Sequence, residues 1–285
     1  LFYVTKATYA PNNLRNIVVN NVAENITLSD DGGEFFCPQT FTANQISYTH
    51  NYTMPTVKGT CQGWETLVLP FDVEKIVHEQ RGEIVPFANY TKDSDQRPFW
   101  LYELSNTGFV KTNVIKANTP YILSMPNDVN AYDQEYLLGG KVTFSATNVT
   151  VKASYDLNTV NNGWIWFIPT FSNEPRAQGY YALNVNNDYV QSANGLAPGS
   201  CFINNLRDIR PFEAYITNAG AGAREIIDIT FADEVTEIAD IACHNTKAAS
   251  TAIYSISGAK IATVANGQLQ QTLSTLPSGI YIVTT

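Results

Sequence analysis

Methionine (2), histidine (3) and charged side chains (15% of 285 residues) are scarce in this chain. Each shortage excludes something. Lys and Arg number 17 against 26 Asp and Glu, a net charge of −9. No basic stripe is available to displace counterions from nucleic acid, and nothing draws the chain to anionic lipid. A membrane-spanning helix needs a run of about 18 apolar residues, and no such run occurs. The four cysteines form no C-x-x-C pair, which argues against a zinc or redox site. His78-Glu79 opens like a zinc-protease motif, but Gly82 stands where the second His belongs. His50, His78 and His244 are therefore expected to be structural or solvent-exposed. Ser257-Gly258-Ala259-Lys260 has S-x-x-K spacing without its partner motifs. Neither G-x-S-x-G nor a phosphate-cradling glycine loop occurs. Asp93, Asp95, Glu103, Glu174 and Glu213 are acids available for hydrolysis, but no spacing singles out a pair. No catalytic residue, metal or cofactor is assigned.

Amphipathic helical runs are nearly missing too. The best is Asp72 to Arg81 (DVEKIVHEQR), where Val73, Ile76 and Val77 make one stripe; a loop that starts helically reads equally well. What the chain has instead is 28 Asn, 29 Thr, 16 Tyr and 14 Phe. Thr, Tyr, Phe, Val and Ile suit a pleated, half-buried surface, and Asn and Gly serve turns that need positive φ. The fold class is all-β. A chain of this length buries roughly 75% of its extended surface, enough for a full core, in one large domain or two.

Blocks of the sequence recur in order. Phe41 to Tyr48 (FTANQISY) matches Phe144 to Val151 (FSATNVTV), and Gly63 to Phe71 (GWETLVLPF) matches Gly163 to Phe171 (GWIWFIPTF). Tyr102-Glu103-Leu104 and Phe109-Val110 match Tyr181-Ala182-Leu183 and Tyr189-Val190; Pro120 to Leu123 matches Pro211-Phe212 with Tyr215-Ile216. These blocks predict β-sandwiches built from an internal duplication over 1–232, with halves at about 41–125 and 144–217; convergent strand patterning is the alternative. In GWETLVLPF both faces are largely apolar by the period of two, as in a strand covered on both sides. The repeat makes Trp64 and Trp164 equivalent buried residues. The halves form one sandwich, or two sharing a surface.

Residues 233–285 are expected to be a connector followed by a small C-terminal β domain. Its apolar runs are Thr251 to Ile256, Lys260 to Val264 and Gly279 to Val283. IYSISGAKIATV followed by LPSGIYIV resembles the C-terminal sorting domain of the type IX secretion system of Bacteroidota. The matching positions are Ile253, Tyr254, Gly258, Lys260, Leu276, Gly279, Ile280, Tyr281 and Val283. The segment departs from the family in lacking its final Lys-ending strand, so it reads as a truncated sorting domain. CPQTFTANQISYTH, GWETLVLPFDV, ANTPYILSMP and RPFEAYIT resemble β-rich segments that precede such tails in surface proteins. The resemblance implies a secreted or outer-membrane surface location and carries no functional residue. LFYVTKATYAP contains no visible signal peptide, and both ends are expected to be cut from a longer precursor.

An exported protein permits disulfides, and Cys37 with Cys61 is the expected pair, ahead of Cys201 with Cys243; the alternative is four buried thiols. Clustered oxygens at residues 29–34, and at 127–130 with Asp133, would suit calcium or be plain solvated turns. Aromatics supply the binding candidates: Trp100, Trp166, Tyr180 and Tyr181 are placed to stack on sugar rings, or to fill the core. The expected function is non-enzymatic adhesion, display or scaffolding against a host or bacterial surface protein or glycan. Alternatives are a carbohydrate-binding module, and a glycoside hydrolase or peptidase. Oligomeric state is not legible.

Overall fold

The computed structural model describes residues 1–6, 15–31, 33–57, 61–185, 196–218, 226–232, 251–255, 260–264 and 281–284. The chain is all-β. It opens with β1 (Phe2–Val4), β2 (Ile17–Val19), β3 (Val22–Ser29) and β4 (Phe41–Tyr52). There follow β5 (Glu65–Leu67), β6 (Lys75–His78), β7 (Gly82–Pro86), β8 (Arg97–Ser105), β9 (Gly108–Lys111) and β10 (Tyr121–Ser124). Next come β11 (Gly140–Val151), β12 (Val160–Asn161), β13 (Ile165–Pro169), β14 (Tyr180–Leu183), β15 (Cys201–Asn204), β16 (Ala214–Asn218) and β17 (Ile226–Asp228). The last are β18 (Thr251–Ser255), β19 (Lys260–Val264) and β20 (Tyr281–Thr284).

Two compact units result, Leu1–Cys243 and His244–Thr285; the connector expected over 233–249 lies outside the described residues. In the second unit β18 pairs antiparallel with both β19 and β20. The three strands overlap the three apolar runs of the tail, of which Ile256, Gly279 and Ile280 lie outside the described residues.

The first unit has three layers because one group of its strands is apolar on both faces. The first layer runs β1-β2-β3-β4-β11-β6-β7. In β4, Phe41 and Ala43, and after a one-residue shift Ile46 and Tyr48, turn inward while Thr42 and Gln45 meet solvent; a sheet with one wet face alternates in this way on either side of the shift. The middle layer is β5-β10-β8-β9, joined to the first through the parallel pair β7–β8. Phe99, Leu101, Tyr121 and Leu123 enter core 1 beneath the first layer. Their neighbours Trp100, Tyr102, Leu104 and Ile122 enter core 2. The third layer, β12-β13-β16-β14-β15-β17, closes core 2 with Phe167, Tyr181, Leu183, Phe202 and Ile216. Core 2 is an aromatic relay: Trp64 meets Tyr102 edge-on at 5.4 Å, and Phe109 meets Phe167 at 5.5 Å.

Exposed strand edges invite wrong pairing, and the middle and third layers are zipped at both margins. The Val68 amide donates to the Phe212 carbonyl (2.9 Å) on one side. On the other, the Phe109 amide donates to the Thr230 carbonyl (2.8 Å) and the Ala232 amide to the Phe109 carbonyl (2.9 Å). Gly108 permits that second approach. Its φ is +134°, and a Cβ there would sit 2.6 Å from the Thr230 carbonyl oxygen.

Asp72 to Arg81, which read equally as a helix or as a loop that starts helically, instead contains β6. Ile76 and His78 are buried on one face of β6, with Val77 between them on the other. β6 pairs with β11, Ile76 opposite Phe144 and His78 opposite Val142; tertiary pairing overrides a weak helical stripe. His78 then closes the turn. Its Nδ1 accepts the Gln80 and Arg81 amides, both at 3.2 Å, and its Nε2 donates to the Gly139 carbonyl at 3.1 Å.

Of the recurring blocks, Tyr189-Val190 lies outside the described residues, and among the others Trp164 departs from the match. FTANQISY and FSATNVTV lie in β4 and β11, which pair antiparallel: Phe41 faces Val151 and Phe144 faces Tyr48. Both halves then follow the same antiparallel order, β5-β10-β8-β9 and β13-β16-β14-β15. Ile122 faces Tyr102 as Ile216 faces Tyr181. The exception is Trp164. Trp64 is 0% exposed and Trp164 is 75% exposed. In the second half Ile165 and Phe167 turn toward core 2, so β13 is slipped one residue relative to its glycine. A one-residue slip sends every side chain to the opposite face. Trp64 and Trp164 are therefore not structural equivalents.

The expected Cys37–Cys61 bridge is also corrected. Cys37 and Cys201 are free, buried thiols, while Cys61 is disulfide-bonded. Cys37 sits in core 1 and Cys61 packs against core 2, so the middle sheet separates them. Cys201, as a free thiol, does not pair with Cys243 either.

Candidate functional site

At one end of core 2 the tips of two hairpins face each other. In the β12–β13 tip, Asn161 Oδ1 accepts the Gly163 amide at 2.6 Å. Asn162 Oδ1 accepts the amides of Trp164 and Ile165, both at 3.0 Å. This Asn-Asn-Gly turn, with Gly163 at φ +87°, holds Trp164 out in solvent. In the β8–β9 tip, Ser105 Oγ donates to the Gly108 carbonyl at 2.6 Å and accepts the Thr107 amide at 3.3 Å. Asn106 and Thr107 are exposed. Between the tips is a groove of about 460 Å³ walled by Trp164, Asn106, Thr107, Asn162 and Asp228. Leu104, Phe109 and Ile227 floor it, where core 2 reaches the surface. The volume lies within the range of roughly 300–1,000 Å³ usual for ligand pockets.

The outer face of the third layer continues from this corner. Trp166, 42% exposed, stands opposite Asn161 on β12 and Thr217 on β16. Tyr180, half-buried, also faces Thr217 and packs on Tyr215 at 4.8 Å between ring centroids. Of the four aromatic candidates, these two reach the surface. Trp100 and Tyr181, 1% and 2% exposed, lie inside core 2, and neither offers a ring to a ligand. Trp164 was the candidate that strand alternation hid, because matching the two Gly-Trp dipeptides placed it in the core. The Asn-Asn-Gly before it is a hairpin-tip signal that would have put it outside.

The chain has no match among family models, curated proteins or solved structures.

Two polar clusters lie elsewhere in the first unit. His50 on β4 is clamped between Asp30, 2.7 Å from Nδ1, and Glu65, 2.8 Å from Nε2. Burial pulls its pKa down, but the two carboxylate hydrogen bonds and charges outweigh burial and push it up to about 9. The His50 hydrogen bond is the main reason Asp30 sits below the ordinary carboxylate value. Both ring nitrogens are occupied, so the imidazolium is neither a base nor a metal ligand; it ties β3, β4 and β5 together. The adjoining space is about 60 Å³, room for water only. Its partners are remote in sequence, and nothing local to His50 signals them.

The second cluster lines an open groove of about 590 Å³ holding Asp72, Glu103, Lys116, Lys152 and Asp156. Burial raises the Glu103 carboxyl. Burial also raises Asp72, but the Ala117 amide (2.8 Å) and the Lys116 ammonium (3.1 Å) outweigh it and leave Asp72 lowered. The other acids are dispersed. Glu213 accepts Arg207 Nη1 at 2.7 Å and the Arg210 amide at 2.9 Å. Asp93 and Asp95 are exposed in a turn, and Glu174 accepts the Thr170 hydroxyl at 3.4 Å. In the oxygen-rich loops, Asp31 accepts the Ser29 hydroxyl and the Gly33 amide, and Asp128 accepts the Asn130 amide.

Proposed function

We propose that this chain is a non-enzymatic recognition protein of the adhesion, display or scaffolding class, exported to a cell surface. It holds its partner by surface contact at the Trp164–Trp166 corner. One observation carries this reading: two tryptophans, 75% and 42% exposed, project from a rigid three-layer body whose hairpin tips are pinned by their own side chains. Large exposed apolar surface on an otherwise well-packed body marks interaction sites, and tryptophan is the side chain most enriched at binding hot spots. Loops at the end of a sandwich, positioned by a stiff scaffold, are a common seat of recognition. The resemblance of the tail to type IX sorting domains supports the surface location.

The test is retention of the full chain on surfaces coated separately with collagen, mucin and mannan. Wild type is expected to bind at least one. The double variant Trp164→Ala/Trp166→Ala is expected to bind it roughly tenfold less with an unchanged melting curve. Equal retention of both proteins, or no retention of wild type anywhere, overturns the reading.

A hydrolytic second reading rests on the oppositely shifted Asp72 and Glu103 in one groove, the pattern of an acid–base pair. Against it, both Asp72 oxygens are already engaged. Turnover of aryl glycosides by wild type, abolished in Glu103→Gln, would establish it.

A further inference from the structure

We infer that the groove between the two hairpin tips is a binding site for a neutral glycan chain, an assignment that rests on the recognition reading above and names the ligand class. Four observations converge on it. The first is the platform. Trp164 lines the groove and is 75% exposed, so an indole face is open to solvent. The axial C–H groups of a pyranose carry slight positive charge and meet the electron-rich face of an indole favourably, as other positively polarised groups do.

The second is the polar rim. Asn106, Thr107, Asn162 and Asp228 surround that platform. Amide, hydroxyl and carboxylate groups together supply donors and acceptors for sugar hydroxyls, which are both at once.

The third is charge. Among the described residues that line the groove Asp228 is the single charged one, and no described Lys or Arg joins it. The chain as a whole carries −9. A sulfated or uronic-acid polymer would meet Asp228 and the chain's net negative charge and be repelled over distance, so the fitting ligand is uncharged.

The fourth is preorganisation. Both tips are locked before any ligand arrives: Asn161 and Asn162 fix one, and Ser105 fixes the other. Ordering loops on binding consumes affinity, and here the order already exists.

The experiment is electrophoresis of the full chain through gels containing, in turn, mannan, xylan, a mixed-linkage β-glucan and amylopectin, with tryptophan emission recorded on titration with the same polymers. At least one polymer is expected to retard wild type and shift its emission. Trp164→Ala is expected to weaken that binding by about tenfold or more, and Asn106→Ala and Asp228→Ala by roughly three- to tenfold. Tyr155→Ala, which removes an equally exposed ring (77%) outside the groove, is expected to bind as wild type does. Binding that survives Trp164→Ala, or that Tyr155→Ala also removes, overturns the site. If no polymer retards wild type while Trp164→Ala/Trp166→Ala still loses retention on collagen or mucin, the glycan assignment falls and the recognition reading stands. If wild type is retained by nothing, both fall.

Discussion

His50 is the residue whose behaviour is most sharply set by its neighbours. Its folded pKa of about 9 lies above the ordinary 6.5, so the stabilisation it provides is complete below about pH 6.5 and is lost as pH rises through 9. Wild type is expected to show a falling melting temperature between those limits, and His50→Gln a flatter profile over the same span. An NMR titration of the imidazole with a midpoint near 6.5 would contradict the clamp. Gly108 makes a second residue-scale case. Gly108→Ala forces a Cβ toward the Thr230 carbonyl at a φ of +134°. A loss of about 1–3 kcal/mol is expected by urea denaturation, and an unchanged midpoint would show that the margin can shift. Turn chemistry at this scale is legible from composition. Among the described residues the non-glycine positions with positive φ are Asn16, Asn20, Asn21, Asn118, Asn148, Asn205 and Phe212, so the abundant asparagine supplies all but one. Phe212 has no such signal; burial against Tyr48, Phe35 and Phe171 holds it there.

At the level of strands, β5 and β13 show how one residue of register separates packing from recognition. Both follow a Gly-Trp dipeptide with positive φ at the glycine, Gly63 at +79° and Gly163 at +87°. The first tryptophan fills core 2 and the second stands in solvent. Trp64→Ala is expected to destabilise the first unit by about 3–5 kcal/mol through cavity formation. Trp164→Ala is expected to stay within about 0.5 kcal/mol of wild type. Equal effects in chemical denaturation would mean the slip is absent. The existence of these strands was readable from alternation, but their relative register was not, because GWETLVLPF and GWIWFIPTF are apolar on both faces and either face suits a core.

The whole first unit is expected to unfold as one body, because its middle sheet belongs to both cores. Leu101 and Trp100 are chain neighbours on β8, yet the first packs in core 1 and the second in core 2. Leu101→Ala in core 1 is expected to lower stability by about 2–5 kcal/mol and Phe202→Ala in core 2 by about 3–5 kcal/mol. Each should move the same calorimetric transition, with far- and near-ultraviolet dichroism changing together. A variant that melts one layer pair while the other persists would show the cores to be independent.

Period-two patterning, turn residues and the shortage of amphipathic helical runs were sufficient for an all-β chain, for a strand group apolar on both faces and for three strands in the tail, because these depend on contacts a few residues apart. Tertiary structure alone decided that Cys37 and Cys61 lie in different cores, that Asp72 to Arg81 holds a strand, that His50 meets Asp30 and Glu65, and that Trp164 rather than Trp100 is presented to solvent. The first three turn on which segments meet across the sheets, about which local sequence carries no information; for Trp164 the Asn-Asn-Gly turn was a local signal, and the register of β13 against β16 decided the face.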